Sequence, residues 1–170
     1  EIPFLVWEGF CASSIERQSR IEADRFAREW KRLSRDERFR SHFQYHGISF
    51  WPFVESALAG DFLDLFPELV RVMETTQALL EAVGPDAVVL TDDRPPFQRV
   101  FVAACRAVGV PTINVQNSVL DGFVEGGPIT TDAIAVDGEA SRVNLIKRGM
   151  TAEHIVVTGQ PRFDVLVNNA

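Results

Sequence analysis

The stretch from residue 84 to 118 constrains the fold more than any other part of the chain, because it contains a complete strand–helix–strand unit. Residues 88–90 form a short apolar run, which is typical of a parallel strand buried on both faces. A run of helically spaced apolar residues follows and stops at Gly109. Residues 111–115 then predict a second strand.

Polar side chains follow both strands of this unit. Asp92 and Asp93 come directly after the first strand, and Gln116, Asn117 and Ser118 come after the second. A right-handed connection between parallel strands places both strand ends at the same edge of the sheet. Ligands of open α/β sheets bind at that carboxyl edge, so we expect a functional site there.

Strands and helices continue to alternate toward the end of the chain. Strands are predicted at 132–136 and 154–158, with a helix at 141–148 between them. This alternation predicts an α/β fold with a mostly parallel sheet flanked by helices, similar to a Rossmann fold. We expect one domain over residues 1–158, beginning with a strand at 2–6 and carrying a helical insertion at about 13–83. Residues 159–170 are expected to begin an interdomain linker, with a second domain absent.

The charge of the chain is unevenly distributed. The net charge is −7, which disfavours nucleic acid as a partner because phosphate contacts need a basic surface. Residues 15–40, however, hold nine Lys and Arg against six Asp and Glu. This segment is either a solvated helix with paired charges, capped by Ser13 or Ser14, or a basic surface for anionic lipid or a phosphate-bearing substrate.

The cysteine, histidine and glycine patterns exclude several kinds of site. Cys11 and Cys105 show neither metal-ligand spacing nor a disulfide framework, so a reducing, cytoplasmic setting is expected. His42 and His46 are four residues apart, but no further ligand is suitably spaced, so no metal is expected. They lie in an aromatic segment that predicts packing or the wall of an acceptor pocket. No glycine-rich phosphate loop follows a predicted strand.

Residues 85–166 resemble the amino-terminal half of glycosyltransferases of the GT-B fold, and of their relatives. The motifs are LTDD at 90–93, QNS at 116–118, and TDAIAV at 131–136, followed by RG at 148–149. The most specific is EHIVVTGQPRFD at 153–164. It is also similar to a motif of UDP-N-acetylglucosamine 2-epimerases and of capsule and surface-polysaccharide transferases, where it leads into the linker between two domains.

The resemblance implies the acceptor-side domain of a transferase that acts on nucleotide-activated sugars in cell-surface polysaccharide synthesis. The nucleotide sugar would be a substrate, and no cofactor is expected. The chain departs from many relatives at Asn117 and Ser118, where these carry His-Gly. A 2-epimerase is one alternative. A non-catalytic domain that binds sugar or nucleotide, or serves as a scaffold, is another.

Asp92 and Asp93 are the predicted catalytic residues. Glycosyl transfer needs a group that accepts a proton from the attacking hydroxyl, and these carboxylates stand where the first strand ends. Neighbouring side chains of an extended chain point to opposite sides, so at most one of the two need face the site. Arg94 is predicted to bind a phosphate or acidic sugar. The alternative for Asp93 is a cap on the following helix.

Gln116, Asn117, Ser118 and Glu139 are the remaining predicted substrate-binding residues. The first three offer several hydrogen-bond donors and acceptors, as a sugar requires, although Asn and Ser are also common in turns. Glu139 follows the next strand at the same edge.

Gly159, Pro161 and Asp164 are predicted to shape the interdomain hinge. A small sugar or glycan acceptor is the expected partner. Peripheral association of the basic helix 15–40 with the inner face of a membrane, and a homodimer, are open alternatives.

Overall fold

The computed structural model describes residues 5–117 and 129–160. The chain forms two compact units, residues 1–79 and 80–170, which are described one by one. The predictions for Ser118, Pro161 and Asp164, and most of the predicted strand 2–6, lie outside the described residues. The proposed domain boundaries, 1–158 with an insertion at 13–83, stay a prediction.

The first unit is mainly helical. Its elements are a 3-10 turn at Trp7–Phe10, α1 at Ser13–Leu33, α2 at Glu37–Ser41, β1 at Gln44–Tyr45, β2 at Ile48–Ser49, α3 at Trp51–Gly60, a π-helical turn at Asp61–Leu65 and α4 at Phe66–Val83, whose last residues belong to the second unit. The long helix predicted after Ser13 is present. Its capping residue is Ala12, however, and makes no side-chain hydrogen bond, so the predicted serine cap is wrong.

Aromatic side chains hold the first unit together. The Trp51 ring is 3% exposed and lies within 6.0 Å of the rings of Trp30, Phe39 and Phe43. A second group of rings, formed by Phe26, Phe62 and Phe66, joins the first through Trp30 and Phe62, whose centroids are 5.5 Å apart. Aromatic pairs of this geometry add about 0.5–1.5 kcal/mol each beyond the burial of their area. Phe39, Phe43 and Trp51 of the aromatic segment therefore pack inside the unit, in line with the first of the two predictions for that segment.

A tight β-hairpin connects α2 to α3, and the sequence analysis did not predict it. Gln44 pairs with Ser49 and Tyr45 with Ile48, which leaves His46 and Gly47 as the turn. Both turn residues have positive φ, 48° and 79°, as a two-residue type I′ turn requires. His46 thus stands in a turn rather than on a helix, so its spacing of four residues from His42 does not place the two side chains on one helical face.

The second unit is an α/β fold with a parallel four-stranded sheet, as predicted. Its elements are β3 at Val88–Leu90, α5 at Pro96–Ala107, β4 at Thr112–Val115, β5 at Ala133–Val136, α6 at Glu139–Lys147, a 3-10 turn at Ala152–His154 and β6 at Ile155–Val157. The strand order is β3-β4-β5-β6, and every described pair is parallel. Leu90, Asn114, Ile134 and Ile155 stand side by side in register.

Alternating side chains of the central strands form the core of the second unit. Ile134 and Val136 pack with Leu145 of α6 and Ile155 of β6. Helix α5 contributes the fully buried Val102, Ala104 and Cys105. The core fixes α6 against β5 and β6, and so determines where the residues after β5 lie.

Candidate functional site

The carboxyl ends of β3, β4 and β5 carry the polar side chains that the sequence analysis selected. Parallel pairing places these three ends at one edge of the sheet. Neighbouring strands lie roughly 4.8 Å apart, so the edge from β3 to β5 spans about 10 Å. This is the size of a monosaccharide with room for a second group. We call the polar residues at the carboxyl ends of β3, β4 and β5 the carboxyl-edge site.

Asp92 and Arg94 form a closed turn at the end of β3. The backbone amide and Nε of Arg94 both donate to Asp92 Oδ1 at 3.0 Å, and Nη2 donates to Oδ2 at 3.4 Å. The Asp92 side chain is 30% exposed and that of Arg94 is 35% exposed, so a ligand can reach both. The hydrogen bonds from Arg94 hold the pKa of the Asp92 carboxyl below its usual range. Asp92 is therefore ionised at neutral pH and is a weak base while Arg94 is in place.

Asp93 points the opposite way and is 2% exposed. Its Oδ1 accepts from Asn114 Nδ2 at 3.1 Å. Its Oδ2 accepts from the Thr130 amide at 2.5 Å, the Thr130 hydroxyl at 3.1 Å and the Thr131 amide at 3.1 Å. Helix α5 begins after Pro95 without any side-chain cap, so the prediction that Asp93 caps it is wrong. The buried carboxylate instead ties the end of β3 to β4 and to the segment that enters β5.

Gln116, Asp137 and Ser141 form a second polar group, which joins the ends of β4 and β5 to the first turn of α6. Gln116 Oε1 accepts from the Asp137 amide at 3.1 Å, and Gln116 Nε2 donates to Ser141 Oγ at 3.3 Å. The Ser141 hydroxyl donates to Asp137 Oδ1 at 2.6 Å. The sequence analysis gave Ser141 no role at this site, although a serine four residues after Asp137 at the start of a helix is the relevant signal.

The other predicted binding residues lie at the same edge with fewer described contacts. Asn117 is exposed beside Gln116. Glu139, the first residue of α6, is exposed and accepts a hydrogen bond from Arg142 Nη1 at 2.8 Å. Of the predicted hinge residues, Gly159 is described and has φ 79°, a conformation that favours glycine. The functional roles of all these residues stay predictions.

A cleft of about 440 Å³ opens at the opposite, amino-terminal edge of the sheet, where the sequence analysis selected no residue. Its lining includes Arg106, Thr151 and His154. Beside them Asp132 Oδ2 accepts from the amide and hydroxyl of Thr112, each at 2.8 Å. Burial works to raise the pKa of Asp132, but the bonds from Thr112 and the charge of Arg106 outweigh it and lower that pKa. These contacts bind the starts of β4 and β5 together.

The described residues contain neither a grouped set of metal ligands nor a membrane-spanning helix. Among residues 5–117 and 129–160, no three His, Cys, Asp or Glu side chains are grouped so that they could hold a metal ion. Within the same ranges, no helix combines the length and apolar character needed to cross a bilayer.

Comparison with known proteins gives limited similarity. No family model matches the sequence, and no curated protein matches it. A solved structure of UDP-N-acetylglucosamine 2-epimerase from Rickettsia bellii is similar to 60% of the chain, with 22% identity and a TM-score of 0.44. The chain spans 31% of the length of that structure. Similarity at this level leaves the activity to be inferred from the residues themselves.

Proposed function

We propose that the second unit is the acceptor-side domain of an enzyme that acts on nucleotide-activated sugars, most specifically a glycosyltransferase of the GT-B type in cell-surface polysaccharide synthesis. The observation that carries the proposal is the grouping of hydrogen-bonding side chains at three consecutive strand ends. The Asp92–Arg94 turn and the Asp137–Ser141 pair lie at the carboxyl edge, and Gln116, which is 7% exposed and bonded at both ends of its amide, connects the ends of β4 and β5 there. The motifs that resemble the GT-B family lie in the same unit.

The chemistry of the edge suits a sugar. A sugar presents many hydroxyls that both donate and accept, so its site needs acceptors and donors side by side. The carboxylates of Asp92 and Asp137 accept hydrogen bonds, while Arg94 donates them. Asp92 and Arg94 are each about one-third exposed, so they can exchange their mutual contacts for contacts to a ligand.

Ligands of open α/β sheets bind at the carboxyl ends of the strands. The resemblance to the GT-B family implies that this half of the enzyme holds the acceptor. We therefore assign the sugar or glycan acceptor to the carboxyl-edge site, and leave the nucleotide to another part of the enzyme.

Asp92 acts as the proton acceptor only when Arg94 no longer bonds to it. While Arg94 bonds to it, the depressed pKa of Asp92 makes the carboxylate a poor base. If Arg94 turns to a phosphate or acidic group of the substrate, Asp92 loses that stabilisation and becomes more basic. In this proposal Asp92 accepts the proton of the acceptor hydroxyl. Asp93 holds the strand ends in position, because both of its oxygens are already bonded.

A non-catalytic sugar-binding module is the second candidate, and the low basicity of Asp92 favours it. In such a module the Asp92–Arg94 pair would bind hydroxyls without any proton transfer. Epimerisation of the nucleotide sugar is a further reaction that the same assay would detect.

To test the proposal, the full-length protein is incubated with a panel of nucleotide sugars and glycan acceptors. Released nucleotide, transferred sugar and 2-epimer are each measured by chromatography and NMR. We expect sugar transfer, and at least a hundredfold loss of turnover in Asp92→Asn, in line with removal of a general base. Glu153→Gln, an exposed carboxylate at the opposite edge, is the matched control and should keep full activity.

The outcomes separate the candidates. Epimer without transfer would replace the transferase proposal with the epimerase. Saturable sugar binding without any turnover would establish the binding module. Full turnover in Asp92→Asn would refute the catalytic assignment of Asp92.

A further inference from the structure

Apolar side chains are exposed on the β1–β2 hairpin and at the start of α3 in the first unit. Tyr45, Ile48 and Phe53 are 72%, 73% and 83% exposed, and Phe50 is 37% exposed. Tyr45 and Ile48 are register partners, so their side chains lie on the same face of the hairpin. We call these four residues the hairpin surface. Apolar residues grouped in this way at a protein surface mark sites of interaction.

The tip of the hairpin is not needed for the packing of the unit. The Phe43 and Phe50 rings are 6.0 Å apart at its base, and Phe43 contacts the buried Trp51 at 5.3 Å. The Phe50 amide donates to the Phe43 carbonyl at 2.9 Å, which closes the base of the hairpin. The aromatic core therefore holds the hairpin firmly and leaves Tyr45 and Ile48 projecting into solvent.

Basic side chains accompany the hairpin surface. Residues 31–53 contain five Lys and Arg against two acids, Asp36 and Glu37, and Asp36 Oδ1 is engaged by the Phe39 amide. Arg35, Arg38 and Arg40 are exposed on or beside α2, and the Arg40 guanidinium lies 5.7 Å from the Trp51 ring. Glu37 in this range, and Glu55 just beyond it, are exposed acids. The apolar tip thus carries a positive flank.

Some of the basic residues of α1 are paired with acids. Arg25 pairs with Glu22 at 3.4 Å, and Arg32 pairs with Glu29 at 2.9 Å, on the exposed faces of that helix. Exposed pairs of this kind neutralise each other and leave little net field. Among the described residues, Arg35, Arg38 and Arg40 beside the hairpin form no such ion pair.

We propose that the hairpin surface docks onto an anionic lipid bilayer. The Tyr45, Ile48 and Phe53 side chains enter the headgroup region, where aromatic residues are favoured, and the arginines of α2 lie against the lipid phosphates. A second copy of the chain fits this surface less well, because symmetric pairing would bring two positive flanks together. The proposal is independent of the function proposed for the carboxyl-edge site.

The experiment is co-sedimentation of the full-length protein with phosphatidylcholine vesicles, with and without phosphatidylglycerol. We expect binding that requires the anionic lipid and weakens as salt is raised. The double variant Tyr45→Ser, Ile48→Ser should bind at least tenfold more weakly, since the apolar side chains no longer enter the lipid. Val143→Ser with Ile146→Ser removes two exposed aliphatic side chains from α6 and should bind like the wild type.

A second pair of variants tests the charge. Arg35→Gln with Arg38→Gln should weaken binding about 30-fold, because each basic residue near an anionic surface contributes about fivefold. Arg17→Gln with Arg20→Gln removes the same charge from the amino-terminal part of α1. That part is roughly 20 Å along the helix from its carboxyl end, well beyond the Debye length of about 8 Å, so this variant should bind nearly normally.

Three results would overturn the proposal. One is the absence of binding to anionic vesicles, and another is equal binding by the hairpin variant and the wild type. The third is a dimer in sedimentation velocity that the hairpin variant dissociates, which would assign the surface to a second copy. Circular dichroism checks that each variant is folded. If the double variant is unfolded, Phe53→Ser alone carries the test, because that side chain is the most exposed of the four.

Discussion

Replacing Asp93 by alanine removes the carboxylate that connects three parts of the second unit. Four donors then lose their acceptor: Asn114 Nδ2, the Thr130 hydroxyl, and the amides of Thr130 and Thr131. Asn114 and Thr131 are each 6% exposed, so water reaches these groups poorly. The Thr130 hydroxyl can rotate toward another partner, whereas the two amides and the Asn114 amide group cannot easily do so.

The expected loss of stability follows from these contacts. A buried donor left without a partner costs about 1–3 kcal/mol, and three such donors remain. Partial entry of water into the space left by the carboxylate reduces the sum. We therefore expect Asp93→Ala to lower the free energy of unfolding by about 3–5 kcal/mol, which is a large share of the stability of an ordinary domain.

Two measurements check this expectation. Urea unfolding followed by far-ultraviolet circular dichroism gives the change in free energy. Hydrogen exchange followed by mass spectrometry reports the amides of Thr130 and Thr131 directly, and they should lose protection in the variant. Tryptophan fluorescence cannot replace circular dichroism, because Trp7, Trp30 and Trp51 all lie in the first unit.

Asp92→Ala is the matched control, since it removes the neighbouring carboxylate. Asp92 is partly exposed and bonds to the equally accessible Arg94, so its loss should cost no more than about 1 kcal/mol. Equal stability of the two alanine variants would contradict the role given to Asp93. Unchanged exchange of Thr130 and Thr131 in Asp93→Ala would contradict it as well.

Two further predictions concern other parts of the chain. In Arg94→Gln, the pKa of Asp92 should rise toward the ordinary value of a free Asp, and carbon-detected NMR titration measures it. Because the native pKa is depressed, the stabilisation by Asp92 is present at neutral pH and is lost as the pH falls through the folded value. The Arg94→Gln variant should lose less stability over this fall in pH. An unchanged pKa of Asp92 in the variant would contradict the role given to Arg94. Gly47→Ala should destabilise the protein by about 1 kcal/mol in urea unfolding. The alanine must adopt φ 79°, although its Cβ would meet no atom within 4 Å. Asn tolerates this conformation better than other residues, so Gly47→Asn should lie between the alanine variant and the wild type.

The second unit could largely be predicted from the sequence, because its signals are local. The apolar run at 88–90, the helical spacing before Gly109 and the run at 132–136 each indicate their element within a few residues. The parallel sheet then follows from the alternation of strands and helices. The opposed directions of Asp92 and Asp93 agree with the alternation of an extended chain.

The parts that could not be predicted depend on distant or unusual residues. Asp93 is the buried carboxylate because Thr130 and Thr131, some 37 residues away, offer their amides to it. Nothing near residue 93 carries that information. The hairpin was missed because its turn is His-Gly instead of the usual Asn-Gly or Asp-Gly, and because its strands are two residues long. Ser141 was missed because its link to Gln116, 25 residues earlier, exists only in the folded sheet.

The consecutive order of the strands also bears on how the second unit acquires its structure. Leu90 and Asn114 are 24 residues apart, Asn114 and Ile134 are 20 apart, and Ile134 and Ile155 are 21 apart. The entropy of loop closure varies only with the logarithm of such separations, so the three pairings cost nearly the same. During synthesis on the ribosome, each described strand therefore emerges soon after the strand with which it pairs. The sheet can grow one strand at a time during synthesis, without any pairing that must await a distant segment.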